Sequence, residues 1–205
     1  MVKEIRIYWE GGGDSQTGRD FLSKGLSTFL RDLVSIARSK NMRWKLVACG
    51  SRGKAYESFQ LATKTFPEVF NVLLVDAESP VKLPAWQHLK QQDNWPLAQE
   101  FDSQCHLMAQ AMEAWFIADV NALEKYFGQG FTANSIPPTQ NVEQIPKDRL
   151  TAALSEASRQ TQKGKYKDKK IKHAGEILQI LNVAKVRDAA PHCDLLFKKL
   201  MEKMN

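Results

Sequence analysis

Hydrophobic residues in the first 80 positions form three short runs that predict β-strands: residues 4–9 (EIRIYW), 44–50 (WKLVACG) and 70–78 (FNVLLVDAE). The third run is apolar almost throughout and ends in acidic residues, which is typical of a strand buried on both faces of a parallel sheet. Between the runs, hydrophobic residues recur at helical spacing over roughly 18–40 and 53–65. We therefore expect an α/β fold in which helices flank a parallel sheet with right-handed crossovers.

The hydrophobic pattern changes after the third strand. Residues 79–102 contain three prolines among many polar residues and predict an irregular segment laid over the sheet. Residues 106–119 (HLMAQAMEAWFIAD) are apolar on nearly every side and predict a buried helix, with a short helix following to Phe127. Residues 128–146 predict another loop. Three helical patterns complete the chain, near 147–161, 172–183 and 191–203.

These segments predict that the chain has two parts. We also expect a cytoplasmic protein. Residues 1–127 form an α/β core that includes the 106–119 helix, and residues 128–205 form a basic helical C-terminal region packed on it. A hydrophobic content of 43% supports a substantial core. No apolar run approaches the roughly 20 residues of a membrane span, and the first residues lack a signal-peptide pattern. For the same reason we expect no membrane partner. The three cysteines have no metal-ligand spacing, so we expect reduced thiols.

The formal net charge of +6 arises in the C-terminal quarter of the chain. Its densest part, residues 159–173 (RQTQKGKYKDKKIKH), holds seven Lys and Arg residues. Such a run is either a solvated face or a surface for a phosphate-rich partner, because counterion release from Lys and Arg contacts dominates non-specific nucleic-acid affinity. On the second interpretation, Tyr166, Lys169, Lys172 and His173 contact a nucleic-acid backbone or stabilise a charged transition state.

Acidic residues follow the first and third predicted strands. Glu10 and Asp14 flank the glycines after the first strand, Asp76 and Glu78 end the third, and Arg52 follows the second. Ligands of open parallel sheets bind at the carboxyl ends of the strands, so we expect these side chains to converge if the strands are neighbours. Carboxylates without nearby His or Cys favour Mg²⁺ or Mn²⁺, and Arg52 suits a phosphate group.

The glycines after the first strand allow other interpretations. Residues 13–18 have the glycine spacing of a P-loop, but Arg19 and Asp20 stand where that motif requires Lys and then Ser or Thr. A purely structural interpretation places Glu10 and Asp14 near a helix N-terminus, where acids are favourable. The metal interpretation assigns the glycines a sharp turn that lets both carboxylates face one ion.

Two motifs resemble the Toprim fold, which topoisomerases, primases and OLD-type nucleases share. That fold has a strand ending in Glu-Gly with an acid four residues after the Glu, and a later strand ending in Asp-x-Asp. This chain has YWEGGGD and LLVDAE, with Glu78 in place of the second aspartate. The segments CGSRGKAYESF, HLMAQAMEAWFIAD and PHCDLLFKKL are similar to a small bacterial Toprim-like family, often encoded beside AAA-type or ABC-type ATPases in suspected phage-defence loci.

The resemblance implies a Toprim-like, Rossmannoid sheet with a Mg²⁺-dependent site. Asp76 and Glu78 would hold one ion, and Glu10 and Asp14 a second, unless Glu10 acts as general acid or base. Glu113 is a lone acid in an apolar segment, and its burial would be costly unless it were paired or metal-bound. Similar families carry an acid at the same point of this helix. Glu113 therefore either faces the metal site or lies on an exposed helix face.

Four further side chains invite a functional and a structural interpretation. His106 would orient a phosphate or cap a helix, and Asp119 would end that helix or cap the next. Trp86 and Trp95 would anchor the irregular segment, or stack on a base.

Together these features predict a metal-dependent nuclease that acts on DNA or RNA as the effector of an ATPase-linked anti-phage system. The alternative is a catalytically silent partner subunit of an ATPase, with the C-terminal helices as an interaction surface. A third interpretation is a phosphatase or nucleotidyltransferase for small molecules, which the long basic tract disfavours. A homo-oligomer is compatible with each of the three.

Overall fold

The computed structural model describes residues 2–205. Within this range four strands are present: β1 (Glu4–Gly12), β2 (Arg43–Gly50), β3 (Phe70–Asp76) and β4 (Cys105–Met108). They form one parallel sheet in the order β2-β1-β3-β4. The sheet lies between helices, so the α/β class predicted from the sequence is confirmed.

Helices cover most of the remaining described chain. They are α1 (Gln16–Phe29), α2 (Arg31–Ser39), α3 (Arg52–Thr65), α4 (Ala85–Asp93), α5 (Glu113–Ile117), α6 (Val120–Phe127), α7 (Lys147–Ala157), α8 (Lys170–Leu178), α9 (Val183–Ala189) and α10 (Pro191–Met204). Short 3₁₀ turns lie at Gln99–Phe101, Ala133–Ser135, Val142–Gln144 and Tyr166–Lys169. Among residues 2–205, no helix has both the length and the apolar character needed to cross a membrane.

The stretch predicted as one helix over 18–40 is two helices. The side-chain oxygen of Ser15 caps α1 by accepting a hydrogen bond from the Gly18 N–H (3.1 Å). The backbone leaves helical geometry at Leu30 (φ −92°, ψ 10°), and α2 begins at the next residue. Leu26 and Leu33 are both buried across this junction. Hydrophobic spacing continues through the break, which is why the pattern alone shows one helix.

The prediction of a buried helix over 106–119 is wrong in its first half. Residues Cys105–Met108 form β4 at the edge of the sheet, and only Glu113–Ile117 is helical before the next helix begins. Every side chain from 105 to 117 is buried. A segment buried on all sides has no hydrophobic period, so periodicity cannot separate a strand from a helix there.

Two helices of the structure, α4 and α9, are absent from the sequence prediction. The predicted irregular segment 79–102 contains α4, which ends at Asn94 in the left-handed conformation (φ 56°) that often terminates helices. The helix α9 was not predicted, whereas α10 matches its predicted range of 191–203 to within one residue.

Helices cover the sheet on both faces. On one face, Trp9 of β1 packs in a cluster with Trp115 of α5 and Leu200 of α10. On the other face, Tyr8 packs with Phe59 of α3. Tyr8 and Trp9 point to opposite faces because strand side chains alternate. Helices from beyond residue 128 therefore share one hydrophobic core with the sheet.

The carboxyl ends of β2, β1 and β3 lie side by side. Gly11 of β1 pairs with Gly50 of β2, and Trp9 of β1 pairs with Leu74 of β3. The three strands predicted from the sequence are thus neighbours, and the residues that follow them reach one edge of the sheet.

His106 lies in β4 and not at a helix start. It is buried, and its Nε2 lies 3.3 Å from the Ser103 carbonyl oxygen. Burial lowers the pKa of His106 to about 4, so the ring is neutral at pH 7. The predicted roles of phosphate contact and helix cap are both corrected by this position inside the sheet.

His106 should contribute a loss of stability as the pH falls from 6.5 to 4, because it must take up a proton in that range. Its pKa in the folded state, about 4, lies below its ordinary value of 6.5, so the unfolded state binds this proton more tightly in that window. The difference corresponds to roughly 3 kcal/mol of unfolding free energy. The difference in unfolding free energy between His106→Leu and the wild type, measured by urea denaturation, should shift in favour of the variant by about this amount as the pH falls from 6.5 to 4. A difference that does not change with pH would contradict the assignment.

Candidate metal centre

Three carboxylates meet at the carboxyl end of the sheet. Glu10, Asp76 and Glu78 each offer one oxygen, and these oxygens all lie within 4.8 Å of one another. Glu10 belongs to β1, Asp76 ends the neighbouring β3, and Glu78 follows two residues later. The structure thus brings together three of the four strand-end carboxylates that the sequence singled out.

Backbone hydrogen bonds hold these carboxylates in place. Glu10 Oε2 accepts a hydrogen bond from the Asp76 N–H (3.2 Å), and Asp76 Oδ1 accepts one from the Met112 N–H (2.9 Å). Glu78 has a φ of 66°, which is uncommon for a residue other than glycine, and its N–H donates to the Gln110 carbonyl oxygen (2.9 Å). This left-handed residue interrupts the strand direction beyond β3 while its side chain stays beside Asp76.

Lys147, which no sequence motif marks, reaches the same cluster from the first turn of α7. Its Nζ lies 3.3 Å from Asp76 Oδ2 and also contacts Glu78 Oε1. Burial lowers the pKa of Lys147, but the neighbouring Asp76 and Glu78 carboxylates outweigh burial and raise it overall. The ammonium group is therefore charged at neutral pH and neutralises part of the cluster.

Arg52 is bound by protein groups rather than left open to a phosphate. Its Nε and Nη2 donate to Asp93 Oδ1 and Oδ2 at 2.7 and 2.6 Å, and its Nη1 donates to the Asp76 carbonyl oxygen. Nη1 also lies 3.6 Å from Glu10 Oε2. The predicted contact of Arg52 with a phosphate is corrected, because the Asp93 carboxylate already occupies two nitrogens of the guanidinium. Arg52 instead positions Asp76 and Glu10.

The substitution Asp93→Asn should lower the free energy of unfolding by about 3 kcal/mol, because it leaves the largely buried Arg52 guanidinium without its ionic partner. Urea denaturation measures this change. Asp32→Asn is a matched control, since Asp32 forms an exposed ion pair with Arg31 (3.8 Å) and should contribute less than about 0.5 kcal/mol. Equal losses in the two variants would contradict the positioning role.

Glu113 lies beside the three carboxylates but has partners of its own. Its side chain is 3% exposed, and its Oε1 accepts a hydrogen bond from the Tyr166 hydroxyl (3.0 Å) and lies 2.8 Å from Lys170 Nζ. The alternative of an exposed helix face is therefore wrong. Glu113 is buried and paired, and it adds negative charge near Asp76 without sharing the close cluster.

Negative charge exceeds positive charge in this region. Burial, followed by the charges of Glu10 and Glu113, raises the pKa of Asp76 to about 7, and burial also raises the pKa of Glu10. Across the described chain, five neighbouring carboxylates contact three basic side chains: Glu10, Asp76, Glu78, Asp93 and Glu113 contact Arg52, Lys147 and Lys170. A divalent cation would supply the missing positive charge, and carboxylate oxygens are the ligands that Mg²⁺ and Mn²⁺ prefer. The residues therefore fit such an ion.

Asp14 does not join the cluster, and the prediction that it shares an ion with Glu10 is corrected. Its side chain is 92% exposed, and Lys54 Nζ lies 3.6 Å from its Oδ1. The N-cap of α1, Ser15, follows directly, so Asp14 lies on the turn that leads away from the sheet edge.

The glycines before Asp14 allow this turn to pack closely on α1. Gly12 and Gly13 have left-handed backbones, with φ of 86° and 62°. A Cβ atom on Gly12 would lie 2.4 Å from Arg19 Cα, and one on Gly18 would lie 2.5 Å from the Gly12 carbonyl oxygen. The spacing that resembles a P-loop therefore reflects a close contact between the loop and the helix.

Tyr166 and His173 lie inside the protein although they belong to the basic tract. They are 0% and 1% exposed, and His173 Nδ1 lies 2.7 Å from the Tyr126 hydroxyl. The predicted contact of these two side chains with a nucleic-acid backbone is therefore corrected, because neither reaches the surface. Lys169 and Lys172 are exposed and stay available to a phosphate-rich partner.

The remaining side chains singled out in the sequence have structural contacts. Asp119 precedes α6, and its Oδ2 accepts a hydrogen bond from the Asn182 N–H (2.9 Å). Trp95 stacks on Tyr56 with ring centroids 4.1 Å apart, and Trp86 packs against the same hydrophobic cluster. Both tryptophans anchor the segment that contains α4.

Comparison with known protein families gives a match over most of the chain. A family model described as "Domain of unknown function (DUF4276)" matches residues 9–201. Neither a curated protein nor a solved structure matches the chain significantly. The matched range contains all three clustered carboxylates together with Arg52 and Lys147, so the whole candidate centre lies within the family's domain.

Proposed function

The chain belongs to the DUF4276 family, and from the geometry of its carboxylate cluster we propose that it is a divalent-metal-dependent phosphodiesterase that cleaves nucleic acid. One observation carries this proposal: oxygens of Glu10, Asp76 and Glu78 lie within 4.8 Å of one another. They do so at the carboxyl end of a parallel sheet, which is where open α/β sheets bind their ligands.

Each residue of the cluster has a role in the proposed reaction. Asp76 and Glu78, with Glu10, would hold Mg²⁺ or Mn²⁺. When bound, such an ion polarises a phosphoryl oxygen and makes bound water more acidic. Glu10 would hold the ion through one carboxylate oxygen, which leaves the other oxygen to accept the proton of the attacking water. The Lys147 ammonium, held at Asp76 and Glu78, stabilises negative charge that develops on the phosphate.

Basic residues beside the cluster support a nucleic-acid substrate. Lys170 lines the same cavity as Glu10 and Asp76, and Lys169 and Lys172 are exposed on either side of it in the chain. Lys170 thus places positive charge beside the carboxylates, and Lys169 and Lys172 add exposed positive charge next to it in the chain. An extended phosphodiester backbone would use such charge more fully than a small phosphate ester would.

The resemblance to Toprim nucleases agrees with this proposal. The association with an AAA-type or ABC-type ATPase, the role in phage defence and the cytoplasmic location stay predictions.

Cleavage assays test the proposed activity. Purified protein is incubated with Mg²⁺, Mn²⁺ or EDTA and with labelled single-stranded and double-stranded DNA and RNA. We expect metal-dependent cleavage that EDTA stops and that Glu10→Ala slows by about 100-fold or more. Equal product from the wild type and the variant, or no cleavage with either metal, would contradict the proposal and favour a binding module.

A further inference from the structure

A cavity of about 270 Å³ opens directly beside the carboxylate cluster. Glu10 and Asp76 form part of its wall, so it is continuous with the candidate metal centre. Its apolar lining comes from Leu22, Met112, Ile171 and Ala174. The cavity thus combines charged and hydrophobic lining.

A hydrated cation alone does not account for this cavity. Mg²⁺ and Mn²⁺ are surrounded by oxygen ligands and water, and aliphatic side chains offer neither. The volume lies just below the range of roughly 300–1,000 Å³ that is usual for small-molecule sites, so it suits a single ring system. Its occupant therefore combines an apolar surface with a group that approaches the metal centre.

The polar groups of the cavity identify that occupant more closely. Glu113 is buried in its wall, with Oε1 fixed by Tyr166 and Lys170, and it presents a carboxylate that accepts hydrogen bonds. A nucleobase has ring faces that pack between apolar side chains and amino or ring N–H groups that donate to a carboxylate. Lys170, half-exposed at the same wall, is placed for the phosphate of that nucleotide.

We infer that the cavity receives one unpaired nucleobase adjacent to the phosphodiester that is cleaved, and hence that the substrate is single-stranded nucleic acid. This inference rests on the proposed function and adds the substrate class. A base within a duplex is stacked and paired, and its extrusion costs a few kcal/mol, so a duplex binds this cavity less well than a single strand.

Binding of a fluorescent oligonucleotide in Ca²⁺, measured by anisotropy, tests the inference. The probes are a short single strand, the same strand with abasic sites throughout, and its duplex. Wild-type protein should bind the base-bearing strand at least about tenfold more tightly than the abasic strand. Ala174→Met, which fills the cavity, should remove this preference, whereas Ala184→Met, the same change at an exposed position of α9, should retain it. Thermal unfolding of each variant monitors folding.

A second variant avoids the risk of overpacking. Ile171 is 37% exposed, and Ile171→Ala removes apolar surface from the cavity wall without adding volume. The preference for the base-bearing strand should fall several-fold in this variant. Equal binding of the two strands by the wild type, or an unchanged preference in both Ala174→Met and Ile171→Ala, would overturn the inference.

Two further measurements distinguish a failure of the cavity assignment from a failure of the proposed function. A nucleoside monophosphate shares the base chemistry; it should compete only at concentrations well above those of the strand, and tighter binding of the free nucleotide would overturn the assignment to a strand. A Mn²⁺ titration is run in parallel. Absence of Mn²⁺ binding by the wild type would overturn the proposed function, whereas intact Mn²⁺ binding without base preference would overturn only the cavity assignment.

Discussion

Asp76→Asn is expected to abolish cleavage and to stabilise the metal-free protein at pH 8 by roughly 2–4 kcal/mol. Burial and the charges of Glu10 and Glu113 raise the pKa of Asp76 from 3.8 to about 7. The folded state therefore binds this proton more tightly than the unfolded state, and the contribution of Asp76 to stability falls as the pH rises from about 4 to about 7. Asparagine has no charge to bury and can still accept the hydrogen bond from the Met112 N–H.

The gain in stability should depend on pH, which distinguishes it from a packing effect. Urea denaturation in EDTA at pH 5 and pH 8 measures it. The stabilisation should be largest at pH 8, where Asp76 is ionised, and smaller at pH 5. A loss of stability of equal size at both pH values would show that the carboxylate serves the fold and not a cation site.

Lys147→Met is expected to slow cleavage by roughly 100-fold while leaving Mn²⁺ affinity undiminished. The ammonium group, 3.3 Å from Asp76 Oδ2, neutralises the carboxylates that would hold the ion. Its removal makes the cluster more negative, so the cation should bind at least as tightly as before. The phosphate, in contrast, loses a positive group that stabilises its developing charge. Cleavage rates and Mn²⁺ dissociation constants, measured on the same variant, separate the two effects.

Lys64→Met serves as the matched control, because Lys64 is exposed on α3 away from the cluster, and neither quantity should change. A parallel loss of cleavage and Mn²⁺ affinity in Lys147→Met would contradict the account. Lys147 would then maintain the geometry of Asp76 and Glu78 and would not act on the phosphate.

The positions of Glu10 and Asp76 at strand ends were predictable because the sequence pattern around each residue is local. The apolar run of β3 stops at Asp76, and that of β1 leads into Glu10 and the glycines, so both residues could be placed at one sheet edge. The direction of each side chain was not predictable in the same way. Asp14 directly precedes Ser15, the N-cap of α1, so the chain has left the sheet edge at Asp14. A serine at this position is a sequence signal for the start of a helix.

Residues that reach the site from distant parts of the chain left no local trace. Lys147 contacts Asp76 across 71 positions, and Asp93 contacts Arg52 across 41. No motif spacing encodes such pairs, because tertiary packing, of α7 against α5 and of α4 against β4, brings them together.

In two segments, the burial of side chains could not be predicted from amino-acid composition. The β4 region is apolar on all sides, so its sequence has no period that separates a strand from a helix. The basic tract is rich in lysines, and this composition predicts an exposed, charged surface. His173, Ala174 and Ile177 nevertheless follow helical spacing and are buried together on one face of α8. That spacing was the available signal that His173 faces the core.

The most direct measurement of the central claim is a titration of Mn²⁺ into metal-free protein, followed by EPR of the free ion. Wild type, Asp76→Asn and Asp14→Asn are compared, since both substitutions remove one carboxylate of the sequence motif and only one of them belongs to the cluster. We predict saturable binding by the wild type, equal binding by Asp14→Asn, and binding weakened by roughly 100-fold in Asp76→Asn. No binding by the wild type, or the same affinity in all three proteins, would contradict a metal centre at Glu10, Asp76 and Glu78.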